Sequence, residues 1–83
     1  MKIYIRYYRN FVFGNYATLA FDIDPESLVI DLKRLIFARL RVEIKHQELK
    51  VKNHGQMENM ADESSIGFYN VKDGTFIFLE NLQ

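Results

Sequence analysis

The sequence has no cysteine, a single proline and only four glycines among 83 residues. Without cysteine it can form neither a disulfide nor a thiolate metal site, so its own hydrophobic core must hold the fold. A cysteine-free chain also suits a reducing compartment. With so little proline and glycine, and with 48% hydrophobic, 14% aromatic and 27% charged residues, the chain lacks the signature of a disordered segment. Long hydrophobic runs are missing too. The longest apolar helical stretch, Leu28 to Leu40, is interrupted by Asp31, Lys33, Arg34 and Arg39, well short of the roughly 20 apolar residues a membrane span requires. Met1 to Arg9 carries charges throughout instead of the apolar segment of a secretory signal. These absences lead us to expect a soluble protein of the cytoplasm and/or nucleus. Residues 1–83 are expected to form one domain, because a second core of ordinary size needs roughly another 100 residues. Net charge is also absent, since 11 Lys and Arg balance 11 Asp and Glu. The balance hides a bias: the bases cluster between Lys33 and Lys52, whereas beyond that stretch Lys72 is the only base among several acids.

What is present is period-two alternation at both ends of the first 24 residues. Met1, Ile3 and Ile5 alternate with Lys2, Tyr4 and Arg6, and Leu19, Phe21 and Ile23 alternate with Ala20, Asp22 and Asp24, the pattern of two strands with one buried face each. Gly14-Asn15 between them suggests a tight two-residue turn. Parity argues against it. Such a turn pairs positions summing to 29, which sets Ile5 opposite Asp24; keeping the apolar residues on one face requires an even sum, hence a bulge or a longer loop. Phe11-Val12-Phe13 then lies near an exposed tip.

Asp24-Pro25-Glu26-Ser27 supplies a proline to end the strand, acids that favour a helix N-terminus and a serine suited to cap it. A helix is expected from near Leu28, burying Val29, Leu32 and Ile36 at spacings of three and four. Beyond Arg39 the pattern weakens, and Leu49 and Val51 mark a third strand over Glu48 to Lys52. Lys52-Asn53-His54-Gly55 reads as a turn and Gln56-Met57 as the start of a short return strand. After a turn at Lys72-Asp73-Gly74, Thr75 to Glu80 forms a last strand, with Phe76 and Phe78 on one face and Ile77 and Leu79 on the other. Two strands, one helix and two or three further strands make an α+β fold: a mixed sheet of four or five strands with one helix packed across it.

The order of these elements, together with Met1-Lys2-Ile3-Tyr4-Ile5, Ile23-Asp24-Pro25, Lys33, Gln47-Glu48-Leu49, Gly55-Gln56-Met57-Glu58 and above all Ile66-Gly67-Phe68-Tyr69-Asn70-Val71, resembles ubiquitin and its β-grasp relatives over almost the whole chain. The resemblance implies a core of Ile3, Ile5, Leu19, Phe21, Ile23, Val29, Leu32, Ile36, Leu49, Met57, Ile66, Val71, Phe76 and Phe78. It also implies work by non-covalent protein binding, as a monomeric N-terminal domain of a larger protein in or near the ubiquitin and proteasome system. Conjugated members of the family end in Gly-Gly, and this chain closes with Leu79-Glu80-Asn81-Leu82-Gln83. A covalent modifier whose Gly-Gly follows these residues is the alternative.

By the same resemblance, the family's aliphatic docking patch maps to Lys50 on the third strand and to Ile77 and Leu79 on the last. A lysine at its centre opposes the docking of ubiquitin-binding helices. The longer first hairpin offers Phe11, Val12 and Phe13 as a second docking element, unless these side chains fold back over the sheet edge. Phe11, Val12, Phe13, Lys50, Ile77 and Leu79 are the candidate protein-binding residues.

Other chemistries find little support. Tyr4, Tyr7, Tyr8 and Tyr16 with Arg6 and Arg9 could stack on and neutralise single-stranded nucleic acid, but the net charge is zero, and cross-strand tyrosine packing is the better reading. The basic run from Lys33 to Lys52 reads as a solvated helix face. His46 and His54 have no partner ligands at metal spacing, and Ser64-Ser65 have no neighbouring base. No enzyme activity, cofactor, metal, nucleic acid or membrane partner is expected.

Overall fold

The computed structural model describes residues 1–10 and 15–82, with side chains described at all of these except 8–10 and 15. Its elements are β1 (Lys2–Asn10), β2 (Asn15–Asp22), α1 (Val29–Leu40), β3 (Gln47–Asn53), β4 (Gln56–Asn59) and β5 (Phe76–Asn81), with single 3₁₀ turns at Ile44–His46 and Ile66–Tyr69. The five strands form one mixed sheet in the order β2-β1-β5-β3-β4. β1 and β5 run parallel at its centre and the remaining pairs are antiparallel. Helix α1 lays Val29, Leu32 and Ile36 into a core shared with Ile3, Ile5, Phe21, Leu49, Val51, Ile77 and Leu79. This is an α+β fold consistent with a β-grasp. No helix among the described residues is long and apolar enough to cross a membrane.

The first hairpin follows the parity that its apolar residues demand. Ile3 pairs with Phe21 and Ile5 with Leu19, an even register that holds as far as Tyr8↔Tyr16 and then shifts before Asn10↔Asn15. That irregularity absorbs the residue that a tight turn at Gly14-Asn15 would have misplaced.

The helix begins where expected but is capped differently. Ser27 supplies no side-chain cap; its N–H donates to the Asp24 carbonyl at 2.9 Å. The Asp31 carboxylate instead turns back to accept the Leu28 N–H at 3.2 Å. Two of the first helical N–H groups, those of Val29 and Ile30, donate to the carbonyls of Ser64 and Asp62. A loop therefore satisfies donors that a helix start leaves open. At the other end Arg41 takes the left-handed conformation at φ 61°. Its N–H closes the helix by donating to the Phe37 carbonyl at 2.8 Å, and the buried Gln47 amide ties the helix to the segment after it by donating to the Lys33 and Val42 carbonyls, both at 2.9 Å.

Two glycines are tied to geometry. His54 and Gly55, both with positive φ, form the two-residue turn between β3 and β4, the primed type that suits strand twist. Gly67 donates to the Pro25 carbonyl at 2.8 Å, and a Cβ there would lie 3.2 Å from that same oxygen, so a larger side chain would require Pro25 to give by a few tenths of an ångström.

Three expectations about the core need correction. Ile77 and Leu79 point inward, at 0% and 7% exposure, while Phe76 is exposed and Phe78 is half-buried on the outer face. The cause lies in the turn before β5. Gly74 N–H donates to the Lys2 carbonyl at 2.7 Å and Tyr4 N–H to the Thr75 carbonyl at 3.0 Å, while Lys2 N–H donates to the Asp73 carboxylate at 2.7 Å. These bonds fix Ile5 opposite Ile77, and Leu79 pairs with Leu49 on the other side. Laterally paired residues share a face of a sheet, so buried Ile5 and Leu49 draw Ile77 and Leu79 inward. Met57 is exposed on the edge strand, and the buried methionine is Met60. Lys33, placed by its sequence in a solvated basic run, is buried, and its ammonium meets Asp62 at 2.6 Å.

Candidate protein-binding face

The helix covers one side of the sheet, and the other side presents the alternate residues of each strand. Two lateral rows cross its centre. One runs Thr18, Arg6, Phe78, Lys50, Asn59 across all five strands. The other begins Ala20, Tyr4, Phe76. Tyr4 and Phe76 stack with centroids 5.1 Å apart and planes 25° from parallel. The Arg6 guanidinium sits 4.6 Å from the Phe76 centroid and 5.8 Å from that of Tyr16, within cation–π reach of both rings. Phe76 and Tyr16 remain exposed to solvent. The outer face thus carries an aromatic group organised about one arginine.

Lys50 adjoins this group through Phe78 and is held differently. Its ammonium lies 2.8 Å from Glu80 and 3.4 Å from Glu48. The hydrogen bond it donates to Glu80, then that to Glu48, raises its pKa above the ordinary lysine value, so it remains a cation throughout the neutral range. An open hollow of about 440 Å³, lined in part by Tyr7, Val42, Lys50, Phe78 and Glu80, borders this end of the sheet.

Of the residues singled out from the sequence, Lys50 is on the outer face as expected. Ile77 and Leu79 are core and cannot flank it. Their place in the surface falls to Phe76 and Phe78. Phe11, Val12 and Phe13 lie outside the described residues. Arg6, Tyr4 and Tyr16 were visible as aromatic and basic groups on strands, but their assembly with Phe76 depends on the parity of β5, which four consecutive apolar residues do not reveal.

Among the described residues no cluster of His, Cys, Asp and Glu is arranged to hold a metal ion. His46 lies in a 3₁₀ turn and His54 in the β3–β4 turn. No protein-family model matches the chain, and no curated protein matches it. The surface must therefore be read from its own chemistry.

Proposed function

We propose that this chain is a non-covalent protein-binding module of the ubiquitin-like kind, and that it docks partners on the outer face of its sheet. The observation that carries the reading is the exposed group of Tyr4, Tyr16, Phe76 and Arg6 beside Phe78. Tyrosine and arginine are enriched among residues that dominate interface energies: the tyrosine ring buries a large area with little loss of side-chain freedom and keeps a polar handle, and the guanidinium adds a planar donor fork that also stacks on rings. Such a cluster on a rigid sheet is preorganised. The resemblance carried by Ile66 to Val71 extends the proposal to a setting in or near the ubiquitin and proteasome machinery. Lys50, held between two carboxylates, does not offer the aliphatic centre on which ubiquitin-binding helices dock, so partners of a different chemistry are proposed.

Three matched baits test this: the unaltered chain, Phe78→Glu and Phe68→Glu. Phe68 is 70% exposed on the 3₁₀ turn at Ile66–Tyr69 and serves as an apolar control away from the sheet face. Proteins held by the unaltered chain should be lost at least about tenfold with Phe78→Glu, the scale of one interface hot spot, and kept with Phe68→Glu. Equal capture by all three folded baits, or loss with Phe68→Glu alone, would remove the sheet face from the account.

A further inference from the structure

We infer that Arg6 is the anchor of this face and that it takes a carboxylate from an acidic side chain of a bound peptide segment. The inference rests on the sheet-face reading above and assigns the partner's chemistry. Each other ionic group near the centre of the face is already matched: Lys50 has Glu48 and Glu80. Arg6 is not. No carboxylate among the described residues lies within ion-pair distance of its guanidinium, and because its Nε is sealed from water a ligand would meet the two terminal Nη groups. The side chain as a whole is only half-buried, so part of it faces solvent.

A guanidinium held against Phe76 and near Tyr16 has already lost much of its rotamer freedom and some of its hydration. An arriving carboxylate therefore meets a planar donor fork at reduced ordering cost. The surroundings define the rest of the segment. Tyr4, Phe76 and Phe78 beside the arginine favour apolar neighbours around the acid.

A phosphate backbone would meet the same arginine, but two features favour the peptide. Tyr4 and Arg6 already occupy the Phe76 ring, which limits base stacking. Glu48 and Glu80 also stand two positions along their strands from Lys50 and Phe78, so the face has no continuous cationic track for a polyanion.

The test uses the intact chain and NMR titration with three probes. These are a short capped peptide carrying one glutamate among leucine and serine residues, its twin with glutamine at that position, and single-stranded oligothymidine. The glutamate peptide should shift the amides of Tyr4, Arg6, Phe76 and Phe78 and bind at least about tenfold more tightly than the glutamine twin, as a charge-assisted bidentate pair implies. Arg6→Lys, which keeps the charge and loses the fork, should remove most of that preference while the unperturbed spectrum shows the fold intact. If both peptides bind the face equally, the Arg6 anchor is wrong and the docking face stands. Shifts confined to other surfaces, or none at all, would overturn both. Tighter binding of oligothymidine on the same residues would replace the acidic peptide with nucleic acid, and shifts of these amides on concentrating the chain alone would replace it with a second copy.

Discussion

Replacing Leu32 with alanine is expected to lower the free energy of unfolding by about 2–5 kcal/mol. Leu32 is fully buried on the inner stripe of α1 with Val29 and Ile36, and truncating it removes apolar burial and leaves a cavity that the sheet beneath, already packed on Ile5 and Ile77, fills only in part. For a domain of this size, whose total stability is of the order of 5–15 kcal/mol, that is a large share. Urea titration should show a lower midpoint with an unchanged slope. A loss below about 1 kcal/mol would mean that the helix packs on the sheet through another stripe.

A comparably large effect is expected at Ile77, with a telling contrast one residue on. Ile77 lies between Ile5 and Val51 in the sheet and is fully buried, so Ile77→Ala should cost about 2–5 kcal/mol. Phe78 is the larger side chain but faces outward over Lys50 and Arg6, and Phe78→Ala should cost only about 1 kcal/mol, from lost cross-strand contacts. Side-chain size alone would rank the two in the opposite order. If Phe78→Ala proves the more damaging, the phenylalanines belong to the core and the aromatic face dissolves.

That contrast also shows where the sequence was legible. The hairpin parity followed from Ile3, Ile5, Leu19 and Phe21 because Lys2, Arg6, Thr18 and Asp22 mark the alternate positions as the other face, so one register alone buries all four apolar residues. The stripe of Val29, Leu32 and Ile36 was legible for the same reason. Phe76-Ile77-Phe78-Leu79 has no polar residue to break the tie, and its facing is decided by hydrogen bonds from Lys2 and Gly74 some 70 residues apart in the chain. Lys33 shows the same limit. On its own helix it reads as one more surface base, and it is buried because Asp62 arrives from a distant loop to pair with it. Met57 was expected in the core for want of a clear strand end; β4 finishes at Asn59 and the chain then turns Met60 inward instead. The candidate site inherits these limits. Arg6 and Tyr4 were visible in the first strand, whereas Phe76 could be joined to them only once the pairing of β1 with β5 was known.

The account rests on the side of β5 that faces water, and the absence of native cysteine allows that to be measured directly. Single cysteines placed at 76, 77, 78 and 79 in turn should show alternating reactivity towards a thiol reagent under native conditions. Phe76→Cys and Phe78→Cys should label quickly, and Ile77→Cys and Leu79→Cys at least about tenfold more slowly, limited by opening of the structure. All four should label alike once unfolded in denaturant. The reverse alternation, with 77 and 79 fast and 76 and 78 protected, would place the phenylalanines in the core and contradict the proposed binding face.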